Sequence, residues 1–440
     1  MAQSRKVAVI GAGVSGLVTA RELQREGHRV IVFEKSNKLG GLWVYNPQIE
    51  TDPLSVDPNR EIIHSSLYKS LRTNLPRQLM SFSDYPFKGE INGKILNFPG
   101  HEQVLKFLNE FAEDFGITEL IQFNTEVVRV AQVVRVAQVD FEENRWVVES
   151  KMDESISEEV FDSVVICNGH YTIPRLANIP VNSKGINNWP GKQIHSHNYR
   201  VPEPFKDQIV VVIGGGPSGL DISRDIATVA KQVHFSTKPS KIGVSNLDGY
   251  ANLWNHSQID HVDESGEVTF LDGSSIHADI ILHCTGYKYD FPFLETDGIV
   301  SADGDRFVGP LYKHVFPPKL SPWLSFVGIP YQTIVFLMLE VQAKWIAKVL
   351  SGKVLLPSEE EMLADVEDHN RQLEQAGIPK RHTHRLNFHE MEYMDWVAAQ
   401  VGLPSVDAGI KEMLWSIYKC AGEVGYDRYR DLWDLENLTQ

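Results

Sequence analysis

Two glycine-rich turns with the same glycine spacing, 203 residues apart, constrain this chain more than any other feature. The first is Gly11-Ala12-Gly13-Val14-Ser15-Gly16 and the second Gly214-Gly215-Gly216-Pro217-Ser218-Gly219. Each follows a short apolar run, at 6–10 and 209–213, and each opens a stretch of helical periodicity, at 14–26 and from Pro217 onward. A second apolar run comes next in each case, at 29–34 and 232–236. The succession reads as strand, tight turn, helix and parallel strand, which calls for a mostly parallel sheet with layers packed on it. Glycine at the first position permits the turn, at the second lets a pyrophosphate approach the backbone, and at the third lets the helix pack on the strand. The open N–H groups of the helix N-terminus then favour the phosphate charge.

The repeat allows a comparison inside one sequence. Adding 203 to each position carries Gly11, Gly13 and Gly16 onto Gly214, Gly216 and Gly219, but carries Glu34 onto Thr237 and Lys35 onto Lys238. A carboxylate at the end of the second strand binds ribose hydroxyls and repels a 2′-phosphate, whereas a hydroxyl and an ammonium accept one. The first cradle is therefore assigned to FAD and the second to NADPH. Arg224, on the second helix, is either an additional phosphate contact or a solvated surface arginine. Gly40-Gly41-Leu42-Trp43 lets the chain pass close to the flavin side of the first cofactor; Trp43 either stacks there or fills the core. Runs at 164–167 and 280–284 read as the third strand of each unit, the latter ending at Thr285-Gly286-Tyr287. The fold expected is α/β, with two Rossmann-like dinucleotide-binding domains and the NADPH domain inserted in the FAD domain. The first part of the FAD domain is placed at 1–170, the NADPH domain at 171–290, and the second part of the FAD domain, with C-terminal helices, at 291–440.

Charge and composition narrow the partners. A formal net charge of −16 is a poor match for nucleic acid or anionic lipid. Cys167, Cys284 and Cys420 are far apart and form no CxxC pair, which fits a reducing, cytoplasmic setting. Arg5 and Lys6 ahead of an apolar run resemble a secretory signal, but the three glycines mark that run as the first strand. No apolar run reaches the length of a membrane-spanning helix; the best candidate, 333–339, reads as a buried helix ended by Glu340. His195, His197, His382, His384 and His389 include close pairs, yet no Cys or carboxylate stands at a zinc-like spacing, so no metal is assigned. The hexapeptide at 127–132 recurs at 133–138 and reads as a duplication lengthening a hairpin, without assigned function.

At this point the chain resembles the flavin-containing monooxygenases. The family signature FxGxxxHxxx(Y/F)(K/R) reads here from Trp189 through Gly191, His195 and Tyr199 to Arg200, with Trp in place of the leading Phe. Cys284-Thr285-Gly286-Tyr287 resembles the family's TGY link, and Glu34 and Gly40-Gly41-Leu42-Trp43 match as well. Baeyer–Villiger relatives carry Trp-Pro where Tyr199-Arg200 stand. Leu71-Arg72-Thr73-Asn74-Leu75-Pro76 is similar to the family's catalytic asparagine region, which makes Asn74 the residue expected beside the flavin; a turn-forming asparagine is the other reading. The resemblance implies a cofactor-binding set of Gly11, Gly13, Val14, Ser15, Gly16, Glu34, Lys35, Gly41, Leu42, Trp43, Thr73, Asn74 and Val127 on the FAD side. On the NADPH side it implies Gly214, Gly216, Pro217, Ser218, Gly219, Thr237, Lys238, Thr285 and Gly286. Gln332 either reaches the flavin or packs in the core.

The resemblance also implies the chemistry. NADPH reduces FAD, dioxygen adds at flavin C4a, and a soft nucleophile takes the distal oxygen of the resulting hydroperoxide. The run His195-Ser196-His197-Asn198-Tyr199-Arg200 and Pro379-Lys380-Arg381 are most similar to the plant S-oxygenating branch. Its substrates are thioethers of the S-alk(en)yl-cysteine or methylthioalkyl glucosinolate type. N-oxygenation, the decarboxylating chemistry of the auxin-forming branch, and a non-catalytic flavoprotein stay open as alternatives.

Overall fold

A computed structural model describes residues 3–88, 90–91, 94–132, 145–179, 189–238, 244–247, 249–302, 306–426 and 428–434. The second copy of the hexapeptide, at 133–138, and the C-terminal 435–440 lie outside the described residues. The chain forms two compact units. One comprises 1–44, 73–170 and 289–440, the other 45–72 and 171–288. The loop-rich stretch 45–72 thus belongs to the second unit, and each unit is interrupted by the other.

Among the described residues, the first unit is built on a five-stranded parallel sheet in the order Leu324–Phe326, Ser163–Ile166, Lys6–Ile10, Arg29–Phe33, Ile121–Gln122. Side chains alternate across it, because successive residues of a strand point to opposite faces. Val7 and Val9 pack with Leu17, Val18, Phe107, Phe111, Trp345 and Ile346 from three helices, Val14–Arg25, His101–Asp114 and Val335–Leu350. Ala8 and Ile10 face the other way, against Val130, Trp146, Val148 and Phe161. Those residues come from a three-stranded antiparallel sheet, Glu126–Gln132, Trp146–Met152 and Ser155–Phe161.

The second unit repeats this layering. Among its described residues the larger sheet runs Lys192–His195, Ile280–His283, Ile209–Ile213, Gln232–Ser236, Leu253–His256, with Ser245–Asn246 added antiparallel at the edge. Val210 and Val212 pack with Ile222 and Ile226 of helix Pro217–Ala227, while Val211 and Ile281 pack with Val262, Val268 and Phe270. The last three belong to the antiparallel strands Ile259–Val262, Glu267–Phe270 and Ser275–His277. The 203-residue offset holds down to register: Lys6 pairs with Arg29 as Ile209 pairs with Gln232, and Ile10 with Phe33 as Ile213 with Ser236.

Charge is buried where the first unit's helices meet. Arg21 is 1% exposed and bonds Glu22, Asp84 and Glu340 at 2.7–2.9 Å, joining helix Val14–Arg25 to helix Val335–Leu350. The region read as a buried helix at 333–339 is the start of Val335–Leu350, which runs to 16 residues because Glu340 points inward to Arg21 instead of ending it. Just before that helix, Glu390 accepts from the Ile334 N–H at 2.7 Å. Burial pushes the Glu390 carboxyl up to about 7, against hydrogen bonds from Ile334 and Tyr418.

This sets a pH dependence. A carboxyl that holds its proton more tightly when folded contributes its stability fully below the unfolded pKa, near 4.5, and loses it as pH rises to about 7. Glu390→Gln removes that titration but keeps an acceptor. Thermal unfolding at pH 5 and pH 8 should show the parent losing more Tm across the interval than the variant. Equal losses would show that Glu390 does not titrate there.

Candidate active site

In both units the first and third glycines of the turn are required by packing. A Cβ on Gly16 would stand 1.8 Å from the Gly11 carbonyl oxygen, and one on Gly219 would stand 1.9 Å from that of Gly214. Gly11 and Gly214 have φ of +104° and +118°, and a Cβ there would meet the carbonyl oxygens of Cys167 and Cys284 at 2.7 and 2.3 Å. Cys167 and Cys284 are equivalent residues, each next to the end of the third strand and bonded through N–H to Ile10 and Ile213. Burial pushes both thiols up to about 12, so they stay neutral. Cys420 is half-buried.

The middle glycines behave differently. A Cβ on Gly216 would touch nothing within 4 Å, and one on Gly13 would touch only Gly41 Cα, at 3.7 Å. These positions are open, and neither following helix has a side-chain cap at its N-terminus. An open glycine backbone beside uncapped helical N–H groups is what a pyrophosphate requires. Val14, Ser15 and Gly16 form the first turn of one helix; Pro217, Ser218 and Gly219 form that of the other. Pro217 has no N–H to offer, so on that side the first backbone N–H groups of the helix are those of Ser218 and Gly219.

The side chains beyond the turns differ as the sequence comparison anticipates. Glu34 follows strand Arg29–Phe33 and accepts from the Ala12 N–H at 2.9 Å and the Ser36 N–H at 2.8 Å, which aims its carboxylate at the cradle. Lys35 turns away to pair with Glu126 at 2.6 Å. In the second unit Thr237 is half-buried, its methyl 3.4 Å from where a Cβ on Gly215 would be, and Lys238 is exposed. Gly40 and Gly41 both have positive φ, and Gly40 N–H donates to Ala12. A Cβ on Gly41 would stand 2.9 Å from Gly13 Cα, so this segment lies directly against the first cradle. Leu42 and Trp43 follow in a 3-10 turn, with Trp43 partly buried against the core.

Asn74 is exposed, and its backbone carbonyl accepts from the Tyr429 hydroxyl at 3.0 Å. Thr73 beside it is 3% exposed, and its hydroxyl has no hydrogen-bond partner among the described residues. Gln332 is exposed, with φ +56°, which rules out core packing; its carbonyl is held by the Asn387 N–H. Val127 lies buried in the three-stranded sheet, packed in the core behind the first unit's parallel strands. Arg224 sits on helix Pro217–Ala227 and donates to the Leu220 carbonyl of its own helix.

The signature residues act within the second unit. A Cβ on Gly191 would collide with the Trp189 ring at 2.1 Å, so the aromatic residue covers the glycine. His195 accepts at Nδ1 from the His197 N–H and therefore donates from Nε2 to the Gly286 carbonyl at 3.1 Å. Burial holds it neutral, with its pKa lowered to about 3. The Thr285 hydroxyl donates to Arg175, fixing the turn from the other side. Tyr199 donates to Asp225 at 2.6 Å, and Arg200 donates to the carbonyls of Asn46, Gln48, Ser65, His197 and Tyr199. Asn198 bonds Glu50, Asp52, Pro53 and Ser55. The signature thus fastens 45–72 to the dinucleotide fold, a role invisible in spacing because its partners are backbone carbonyls. Among the described residues no cluster of three or more His, Cys, Asp or Glu is placed to hold a metal. His195, His197 and His384 are buried, and His389 is exposed. No helix of the described residues is long and apolar enough to cross a membrane.

Two α/β units, each with an open glycine cradle at a helix N-terminus, define the architecture of a protein that binds two dinucleotides. The profile of the flavin-binding monooxygenase-like family matches residues 4–255 and 250–413. The chain is 51% identical to the flavin-containing monooxygenase FMO GS-OX5 of Arabidopsis thaliana over 99% of its length and 93% of that protein. It superposes on the S-allyl-L-cysteine S-oxygenase of Allium sativum with TM-score 0.94 and 50% identity, covering 100% of this chain and 97% of that one. It also superposes on Tmm from Pelagibacter sp. with TM-score 0.79 and 25% identity, covering 97% and 93%. The chain belongs to the flavin-binding monooxygenase-like family. It is a flavin-containing monooxygenase, and its cofactors are FAD and NADP(H).

Two outcomes test the cradle geometry. Glu34→Ala should lower the flavin-to-protein ratio of purified enzyme after dilution, because ribose hydroxyls lose their acceptor; full occupancy would remove Glu34 from the site. Lys238→Ala should narrow the preference for NADPH over NADH in kcat/KM, by roughly ten- to a hundredfold if the ammonium makes a charge-assisted phosphate contact worth about 1.5–3 kcal/mol. An unchanged ratio would remove Lys238.

Proposed function

We propose that this enzyme oxygenates a thioether sulfur to a sulfoxide, with substrates of the S-alk(en)yl-cysteine or methylthioalkyl glucosinolate type. The observation that carries the reading is the end-to-end likeness, at half identity, to an S-allyl-L-cysteine S-oxygenase. The site chemistry supports it. FAD, when bound and reduced by NADPH, would activate dioxygen and deliver one of its two oxygen atoms to a soft nucleophile. The substrate sulfur is that nucleophile, so no side chain has to attack or be deprotonated first. The second oxygen atom of dioxygen leaves as water, with two electrons and one hydrogen from the NADPH hydride and one proton from solvent.

The chain's own residues bind and orient. The N-termini of helices Val14–Arg25 and Pro217–Ala227 hold the two pyrophosphates at Gly13 and Gly216. Glu34 accepts from the ribose of FAD, while Thr237 and Lys238 receive the 2′-phosphate of NADPH. Thr73 offers a buried hydroxyl without a partner among the described residues. Asn74 presents an exposed side chain whose amide would donate to the cofactors when they are bound.

Two measurements test this reading. NADPH consumption over a panel of thioethers and amines, with product mass, should show sulfoxide from the thioethers; turnover confined to amines would overturn the sulfur assignment. Asn74→Ala should still bleach the flavin with NADPH under nitrogen, within about tenfold of the parent rate, one decade being 1.36 kcal/mol of barrier. In air it should release hydrogen peroxide at the expense of sulfoxide, because a contact needed only late spares the early step. A parental sulfoxide-to-NADPH ratio would make Asn74 a turn residue.

A further inference from the structure

The two units differ in what lies behind the residue that reads the ribose. In the first, the Glu34 N–H donates to the Gln122 carbonyl at 3.0 Å, across the strand Ile121–Gln122. In the second, the Thr237 N–H donates to the His256 carbonyl at 3.3 Å, across the strand Leu253–His256. The registers agree, Phe33 opposite Gln122 and Ser236 opposite His256, so Gln122 and His256 are equivalent positions. Gln122 is exposed, but His256 is 4% exposed and enclosed in a polar network.

That network has a direction. Asp272 accepts at one oxygen from the N–H and hydroxyl of Ser257 and at the other from the N–H and hydroxyl of Ser274. Burial would raise its carboxyl, but the bonds from Ser274 and Ser257 outweigh burial and hold it at about 2. Asp272 is therefore an anion. Because the Ser274 hydroxyl donates to it, the oxygen of Ser274 is left to accept from His256 Nδ1 at 3.0 Å. His256 Nε2 must then accept from His234 Nδ1 at 2.9 Å. Burial lowers the pKa of both histidines, His234 to about 4, so each ring stays neutral and has one donor and one acceptor. The His256 ring also stacks on Phe270, with centroids 4.2 Å apart and planes at 22°. Finally, the Ser236 hydroxyl donates to the Ser257 carbonyl at 2.9 Å, tying the residue before Thr237 to the same turn.

We propose that His256 is a positioning residue for coenzyme selectivity: held by His234, Ser274 and Asp272, it fixes the backbone from which Thr237 and Lys238 meet the 2′-phosphate. The inference rests on the reading of the second cradle as the NADPH site. A 2′-phosphate contact depends on where the Thr237 and Lys238 side chains are placed, whereas the pyrophosphate at Gly216 is met by the helix N-terminus at Ser218 and Gly219, and Gly214 is held to Ser236 by a backbone bond that a change in the His256 side chain leaves in place. The network therefore separates NADPH from NADH without contributing to flavin binding or to turnover at saturation.

The test compares the flavin-loaded parent with His256→Gln, Asp272→Asn, Ser274→Ala and, as a control, Lys238→Ala. Steady-state constants are measured with NADPH and with NADH, together with flavin content and Tm. His256→Gln and Asp272→Asn should raise KM for NADPH about tenfold, the scale of one hydrogen bond to a charged group. With NADH, kcat/KM should change less than about twofold, and kcat and flavin content should hold. If a histidine or aspartate variant does not fold, Ser274→Ala removes only the hydroxyl link and should shift the same ratio in the same direction. A parental NADPH-to-NADH ratio in the folded variants, or an equal loss with both coenzymes, overturns the role of His256. A parental ratio in Lys238→Ala instead overturns the reading of the second cradle, whatever the His256 variants do.

Discussion

In each unit the helix after the glycine turn starts so near the turn that only glycine fits at its third glycine position. With a Cβ position of Gly16 1.8 Å from the Gly11 oxygen, and the same at Gly219 and Gly214, no other residue fits without moving the helix off the strand. The approach brings the first helical turn up to the strand end, where Cys167 and Cys284 close the third strand beside it. The remaining layers follow, because the parallel sheet must be covered on both faces and each unit covers it with helices on one side and antiparallel strands on the other. What is left open lies at Gly13 and Gly216, where the proposed dinucleotide sites fall.

On that duplicated frame, function divides through a few side chains. Glu34 is aimed by Ala12 and Ser36, while Thr237 stands at the same register with Lys238 after it. The backbone bonds behind them are also equivalent, from Glu34 to Gln122 and from Thr237 to His256. On the same backbone geometry a carboxylate stands in one unit and a hydroxyl followed by an ammonium in the other, the difference on which the proposed division between ribose and 2′-phosphate rests. The oxygenation chemistry itself belongs to the flavin, so it calls for no paired acid and base from the chain.

Much of this was legible in the sequence because glycine spacing and strand periodicity are local. The strands Lys6–Ile10, Ile209–Ile213 and Gln232–Ser236 fall where the apolar runs stand, and the offset of 203 residues is a true structural register. Long-range polar contacts were not legible. Arg200 bonds five backbone carbonyls, and nothing in its spacing identifies Asn46, Gln48 or Ser65 as partners. Glu340 looked like the end of an apolar run, yet it lies mid-helix because Arg21, far off in sequence, neutralises it. Gln332 was ambiguous between core and site; its exposure and left-handed backbone depend on the segment that follows Leu386.

The division of labour between the cradles is most directly tested by making the second resemble the first. Thr237→Glu places a carboxylate at the position matching Glu34. Measured as kcat/KM with NADPH and NADH on flavin-loaded enzyme, the variant should favour NADH, with flavin content unchanged, because the carboxylate repels a 2′-phosphate and accepts from a ribose hydroxyl. An enzyme that still prefers NADPH, or one that loses its flavin instead, would contradict the assignment of the two sites.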